Sequence, residues 1–145
     1  MDSKDIRILE MLEKDARISR TKIAEALGIT ETAVRKRIKK LEESGVILGY
    51  YTLINYKKIG MVLSYTGIDV EPEKLLEIIR RLKKIKQIVS LFITSGDHDI
   101  IAEIVCKDIT EIEEIHRKIS SMEGVKRICP AIVTEAVKLV AFTHR

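Results

Sequence analysis

Residues 20–40, RTKIAEALGITETAVRKRIKK, decide the fold of the first part of the chain. Ala24, Gly28 and Val34 stand at relative positions 0, +4 and +10. Each position has its own steric reason: a small residue where two helices touch, a glycine where the chain turns, and an aliphatic anchor inside the second helix. The pattern predicts a helix-turn-helix whose second helix is loaded with cations.

Reading outward, Asp5, Ile6, Ile8, Leu9, Leu12 and Ala16 form a helical stripe behind an acidic first turn, which predicts a helix over residues 3–14. Ser19 is placed to cap a second helix over Arg20 to Leu27, and Gly28 ends it. Thr30 is the N-cap candidate of a third helix that runs to about Ser44, where Gly45 stops it. The next residues, VILGYYTLI over 46–54, have the β-branched and aromatic content of a strand. Residues 55–60 read as a connector, so the domain boundary falls near Gly60 and divides the chain into 1–60 and 61–145.

The charge is unevenly spread. Of the formal net charge of +4, residues 1–60 carry all of it, with 13 Lys and Arg against 9 Asp and Glu, whereas residues 61–145 balance 13 against 13. A concentrated positive face attracts phosphate backbones through counterion release, so the asymmetry points to double-stranded DNA as the partner of the first domain. On the third helix a 100° step puts Val34, Ile38 and Leu41 on one buried stripe and turns Thr32, Arg35, Lys36, Lys39 and Lys40 away from it. A recognition helix reads base edges near its N-terminus, which makes Thr32, Arg35 and Lys36 candidates for base contact and Lys39 and Lys40 candidates for phosphates. Arg17, Ser19, Arg20 and Thr21, at the start of the second helix, suit backbone contact, and Thr30 at the cap of the third joins the candidate set. The plainer reading is a solvated charged helix, with Glu42 and Glu43 closing the run; the coincidence of cations with the motif favours DNA.

Several classes are set aside. The N-terminal residues MDSKDIRILEMLEKDARIS mix acids among apolar side chains, which fits neither a secretory signal nor a membrane span and leads us to expect a cytoplasmic protein. Cys106 and Cys129 lack metal-ligand spacing and read as free thiols, so no metal site or cofactor is expected. Asn55 and Gln87 are the only side-chain amides, a compositional trend of proteins from hot-living organisms.

The second half alternates strand and helix. Met61 to Val70 reads as a strand, Pro72 to Leu82 as a helix, Gln87 to Thr94 as a strand, Ser95-Gly96-Asp97-His98 as a turn, and Asp99 to Cys106 as the strand that leaves it. Asp108 can cap a helix with Ile112, Ile115, Ile119 and Met122 on its buried stripe, and Val125 to Leu139 supplies the last strand. The order βαββαβ favours an α+β, ferredoxin-like domain: an antiparallel four-stranded sheet with both helices on one face. The strands do not alternate cleanly. The second shows Val89, Leu91 and Ile93 on one side but Ile88 and Phe92 on the other, and the third shows Ile100, Ala102 and Ile104 opposite Ile101 and Val105. Both faces read as buried, and the economical cover for the second is another copy of the chain, so a homodimer is expected.

Taken together, the helix-turn-helix spacing, the segment GVILGYYTLIN, the βαββαβ domain and the loop Ser95-Gly96-Asp97-His98-Asp99 resemble the Lrp/AsnC, or feast/famine, family of transcriptional regulators over nearly the whole chain. Gly124-Val125 and Cys129-Pro130-Ala131-Ile132 resemble especially the archaeal members. His98 stands where that family's Gly-Asp-aromatic-Asp turn has its aromatic residue. The resemblance implies a winged-helix-like DNA-binding domain followed by a ferredoxin-like (RAM) domain. It also implies dimers assembling further, often to octamers, and a small-molecule effector, usually an amino acid, at contacts between dimers. Carried over by residue, the effector region comprises Ser95, Gly96, Asp97, His98 and Asp99, with Thr134 on the last strand. The residue types suit that role, since two carboxylates flanking a glycine turn can hold an ammonium group and backbone N–H groups a carboxylate. The plainer reading is a solvated β-turn capped by Asp97. A metal site at Asp97-His98-Asp99 is disfavoured because adjacent strand residues point to opposite faces.

Two rival functions remain. An enzyme on the ferredoxin-like domain finds little support, because no nucleophile triad or phosphate loop surrounds His98 or His116. An architectural protein that binds DNA with little sequence preference is the stronger alternative.

Overall fold

Asp2 and Asp5 cap each other at the start of helix α1 (Ser3–Lys14): the Asp5 N–H donates to Asp2 Oδ1 and the Asp2 N–H to Asp5 Oδ2, both at 2.9 Å. The computed structural model describes residues 1–138, in two units built on Met1–Ile54 and Asn55–Ala136.

In the first unit α1 is followed by α2 (Arg20–Leu27) and α3 (Glu31–Glu43). Ile8, Ile23, Ala24, Val34, Ile38 and Leu41 form one small core, so the three residues of the motif are a buried contact, a turn and a buried anchor as their spacing implies. Residues 46–54, which read as a strand, pair with nothing among the described residues and have no regular structure. A strand exists only through its ladder, and this unit supplies no second strand.

The second unit opens with a 3-10 turn, Tyr56–Ile59, capped by the side chain of Asn55. Strands β1 (Val62–Val70), β2 (Ile88–Ile93), β3 (Ile100–Cys106) and β4 (Val125–Ile132) form one antiparallel sheet in the order β2-β3-β1-β4. Helices α4 (Leu75–Leu82) and α5 (Ile109–Ser120) cover one face: Ile78, Leu82, Ile112, Ile115 and Ile119 pack with Ile68, Val70, Ile100, Ala102 and Ile104. Each fully buried isoleucine contributes on the order of 1.5–3 kcal/mol through removal of apolar surface from water.

Three expectations change in detail. Pro72 opens a 3-10 turn, Pro72–Lys74, and the α-helix begins only at Leu75. The partners in β2 shift between Ile88 and Ser90, so Ile88 and Leu91 pack on the helix-covered side, Ile93 shares their side but is exposed at the strand end, Ser90 and Phe92 face away, and Val89 stays exposed in the irregularity. The grouping of Val89 with Leu91 and Ile93 therefore fails because an extra residue resets the two-residue period. The last strand ends at Ile132; Val133 still donates to Leu63 O, but β1 begins at Val62 and offers no further partner. The expected end at Leu139 lies outside the described residues. Thr134 is thus beyond the strand, not on it.

The helix-covered face is not wholly apolar. Ser64 and Thr66 are fully buried on β1, their hydroxyls 2.9 Å apart, and Thr66 Oγ1 lies 2.9 Å from His116 Nε2 on α5. Burial lowers the His116 pKa below its ordinary 6.5, because the interior disfavours the imidazolium. A depressed histidine supports stability above pH 6.5 and loses that support as pH falls toward the folded value. We therefore expect the stability difference between the native chain and His116→Gln to be largest at pH 8 and to narrow at pH 5. Urea melts at both pH values check this, and equal differences would remove His116 as the cause.

Candidate DNA interface and effector turn

The α2–α3 turn is built from caps. Ser19 Oγ accepts from the Lys22 N–H at 3.2 Å and Thr30 Oγ1 from the Ala33 N–H at 3.1 Å. Between them Gly28 adopts φ 61°, ψ 39°, and its N–H donates back to Ala24 and Glu25 carbonyls. A side chain at Gly28 would meet no atom within 4 Å, so it is the backbone angle and not crowding that selects glycine.

Burial of Val34, Ile38 and Leu41 turns the opposite side of α3 outward, and Thr32, Arg35, Lys36, Lys39 and Lys40 are all exposed there. Arg17, Ser19, Arg20, Thr21 and Thr30 are exposed as well. The cations differ in what holds them. Arg35 Nη2 donates to Glu31 Oε1 at 3.2 Å, and Lys39 lies 3.7 Å from Glu43. Lys36 and Lys40 form no ion pair among the described residues. Arg37 leaves the outer face altogether: its Nη1 meets Asp2 Oδ2 at 2.8 Å and Asp5 Oδ1 at 2.7 Å. Each aspartate's carboxyl is held below the usual range, first by the other's backbone N–H and then by this guanidinium. Arg37 therefore ties α3 to the cap of α1, a role that the charge run alone does not reveal.

Residues 46–54 leave α3 with Val46, Leu48, Tyr50, Tyr51, Leu53 and Ile54 exposed. Tyr50 donates its hydroxyl to Glu42 Oε1 at 2.8 Å, and burial followed by that carboxylate raises its pKa. A groove of about 820 Å³ runs between this segment and α1, lined by Ile6, Leu9, Ala16, Leu48 and Tyr51 among others.

In the second unit, the β2–β3 turn is pinned from within. Thr94 N–H donates to Asp99 O at 2.9 Å and Thr94 Oγ1 to His98 O at 2.7 Å, while Gly96 takes φ 122°. Ser95, Gly96 and Asp97 are exposed. His98 turns back onto the sheet, with Nδ1 2.9 Å from Asp69 Oδ1 and its ring over Gly67, where any Cβ would overlap it. Asp69 Oδ2 accepts from Arg127 Nε at 2.8 Å. His98 and then Arg127 hold the Asp69 carboxyl below the usual range, and Asp69 raises Arg127 in turn, with Asp97 adding to the same field. Asp99 Oδ2 accepts from the Val70 N–H at 2.9 Å. One carboxylate of the pair read as an ammonium cradle is thus engaged in fastening the turn to β1; Asp97 is the outward one.

Asp69 and Arg127 are the residues of this cluster that sequence reading missed. Their strands pair them across the sheet, Asp69 opposite Arg127, and no local spacing announces that. Thr134 is not brought to the turn. Ser64 pairs with Ile132 at the far end of β1, so Thr134 lies at the other end of the sheet, about 20 Å away at roughly 3.3 Å per strand residue. Among the described residues no His, Cys, Asp and Glu group is arranged to hold a metal ion, and no helix is long and apolar enough to cross a membrane.

The chain thus joins a three-helix unit with a cationic outer helix, the architecture of a helix-turn-helix DNA-binding protein, to a βαββαβ sheet domain. Residues 1–47 match the winged helix-turn-helix DNA-binding family and residues 64–140 the Lrp/AsnC ligand binding domain. The chain is 48% identical over 140 residues to the HTH-type transcriptional regulator LrpA of Pyrococcus horikoshii, covering 95% of this chain and 99% of that one. It belongs to the Lrp/AsnC family of transcriptional regulators. The fold is shared with an AsnC family regulator from Agrobacterium tumefaciens (TM-score 0.72, 24% identity, 96% of this chain and 94% of that one). It is shared also with the regulator NMB0573 from Neisseria meningitidis, solved in complex with L-Met (TM-score 0.72, 19% identity, 95% and 97%).

The close fit of His98 over Gly67 has a direct consequence. Gly67→Ala should push the ring off Asp69 and destabilise the protein by about 1–3 kcal/mol, as overpacking of a filled site does. Combining it with His98→Ala should cost less than the sum of the single changes, because the added methyl then enters vacated space. Denaturant melts of the three variants measure the coupling; additivity would show that the two residues do not meet.

Proposed function

We propose that this chain is a sequence-specific transcriptional regulator in the cytoplasm. On this reading residues 1–60 bind operator DNA, and residues 61–145 assemble the protein and take a small effector such as an amino acid. The observation that carries the DNA part is the outward face of α3: burial of Val34, Ile38 and Leu41 leaves Thr32, Arg35 and Lys36 on its first two turns, where a helix in the major groove meets base edges. Lys39 and Lys40 further along, with Arg17, Ser19, Arg20 and Thr30 around the turn, suit phosphate contact, and Thr21, whose hydroxyl is donated to Glu31, does so through its backbone N–H.

A homodimer is supported by the face of the sheet that the helices leave open. Tyr65 and Phe92 are exposed there, beside Leu63, Ile101 and Val105, and a second copy is the cover that a lone domain lacks. Higher assembly, to an octamer, extends the same logic. For the effector, Asp97 and Arg127 present opposite charges beside the Ser95–Asp99 turn, a match for a zwitterion, while Thr134 joins such a site only across a contact between copies. The L-Met complex of the Neisseria relative supports an amino acid as the ligand class.

Arg35→Ala should cost roughly 1–3 kcal/mol at the specific site and relax discrimination, whereas Lys39→Ala should weaken all duplexes alike. Titrations against a site footprinted upstream of the protein's own gene and against random duplex test this, and an equal loss on both for Arg35→Ala refutes base reading. An amino-acid panel followed by thermal shift and light scattering should reveal a compound that raises the melting temperature or changes the mass. At a hundredfold excess over its dissociation constant the stabilisation is about 2.7 kcal/mol. Asp97→Ala should abolish that response; a response that survives places the effector elsewhere.

A further inference from the structure

Both oxygens of one carboxylate on the outer face hold the two helices of the motif. Glu31, the first residue of α3, accepts from Arg35 Nη2 through Oε1 and from Thr21 Oγ1 on α2 through Oε2, each at 3.2 Å. The remaining acids of α3 are placed differently: Glu42 accepts from Tyr50, and Glu43 meets Lys39 alone. The Glu31 and Arg35 side chains are 46% and 63% exposed, so this pair adds little to stability. A fixed negative charge on a surface that meets a polyanion weakens binding to any duplex. Its effect on Arg35 is of another kind. Arg35 carries five N–H donors in a rigid planar fork, and one anchored at Glu31 leaves the others pointing as a unit.

We propose that Glu31 is the specificity-determining positioning residue of the interface. It holds the Arg35 fork outward for bidentate contact with a guanine edge and keeps that long side chain from settling on the nearest phosphate of an arbitrary sequence. Thr21 fixes the carboxylate from α2, so the orientation of Arg35 depends on both helices of the motif. The proposal rests on the reading of Arg35 as a base-contacting residue.

The test uses the full-length protein as wild type, Glu31→Gln, Glu31→Asp, Arg35→Ala and the double variant Glu31→Gln/Arg35→Ala. Each is titrated over a range of salt against a duplex selected by the wild type from a randomised library and against a scrambled duplex. Glu31→Gln should bind the scrambled duplex more tightly, reduce the selected-to-scrambled ratio by roughly tenfold, and steepen the salt dependence by about one phosphate contact. Glu31→Asp keeps the charge but is a methylene too short, so it should lower the ratio with the salt slope unchanged. In the Arg35→Ala background, Glu31→Gln should leave the ratio where Arg35→Ala put it. A loss of ratio in Arg35→Ala but not in Glu31→Gln overturns the positioning role alone. A ratio retained by Arg35→Ala overturns base reading by Arg35 and this proposal with it, and a further fall of the ratio on Glu31→Gln in the absence of Arg35 shows Glu31 acting independently of Arg35 and overturns the positioning role.

Discussion

Each helix of this chain buries one stripe only, and that constraint decides which of its side chains face outward. In the first unit a small core of six residues fills the space between three helices. Such a core can take one stripe from α3, and the 3.6-residue period then fixes where the rest of the helix points. Arg35, Lys36, Lys39 and Lys40 face out because Val34, Ile38 and Leu41 face in. In the second unit two helices suffice for one face of a four-stranded sheet, which leaves Tyr65 and Phe92 on the other. The same rule thus yields a cationic outer face in one unit and a partly apolar outer face in the other.

The parts of the fold that were legible in sequence are those whose causes are local. Ser19, Gly28, Thr30 and Gly45 bound the helices because caps and left-handed residues act on their own neighbours. The βαββαβ order and its ferredoxin-like sheet followed from periods of 3.6 and 2 and from short connections. What was not legible depends on a partner elsewhere in the chain. The irregularity at Val89 is a property of the β2–β3 pair, and the end of β4 is set by where β1 begins. Residues 46–54 have strand composition but no strand beside them. In the candidate sites, the exposure of the cations could be read from helical phase. The diversion of Arg37 to Asp2 and Asp5, and the cluster of Asp69, His98 and Arg127, required contacts across 29 to 58 positions of sequence.

Polar groups serve the two units differently. Exposed pairs such as Lys39–Glu43 contribute about 0–1 kcal/mol and exchange readily with water. The run Ser64–Thr66–His116 has less freedom: the two hydroxyls are fully buried and linked to each other and to the half-buried ring, and leaving a buried hydroxyl without a partner costs about 1–3 kcal/mol. No buried side-chain N or O among the described residues lacks a hydrogen-bond partner. The interior is therefore specified by polar geometry as well as by shape, whereas the outer face of α3 holds Arg35 and Lys39 in weak, exchangeable pairs.

The turn between β2 and β3 combines both behaviours. His98 is held by Asp69 and seated over Gly67, and Asp99 is fastened to the backbone of Val70. These anchors belong to the sheet, so the turn moves with β1. That leaves Ser95, Gly96 and Asp97 outside, in a fixed position beside Arg127. The imidazole at position 98 reaches the Asp69 carboxylate through its ring nitrogen, a contact that a phenyl ring could not make. A turn held so firmly has little conformational freedom left to lose in any contact made at Asp97.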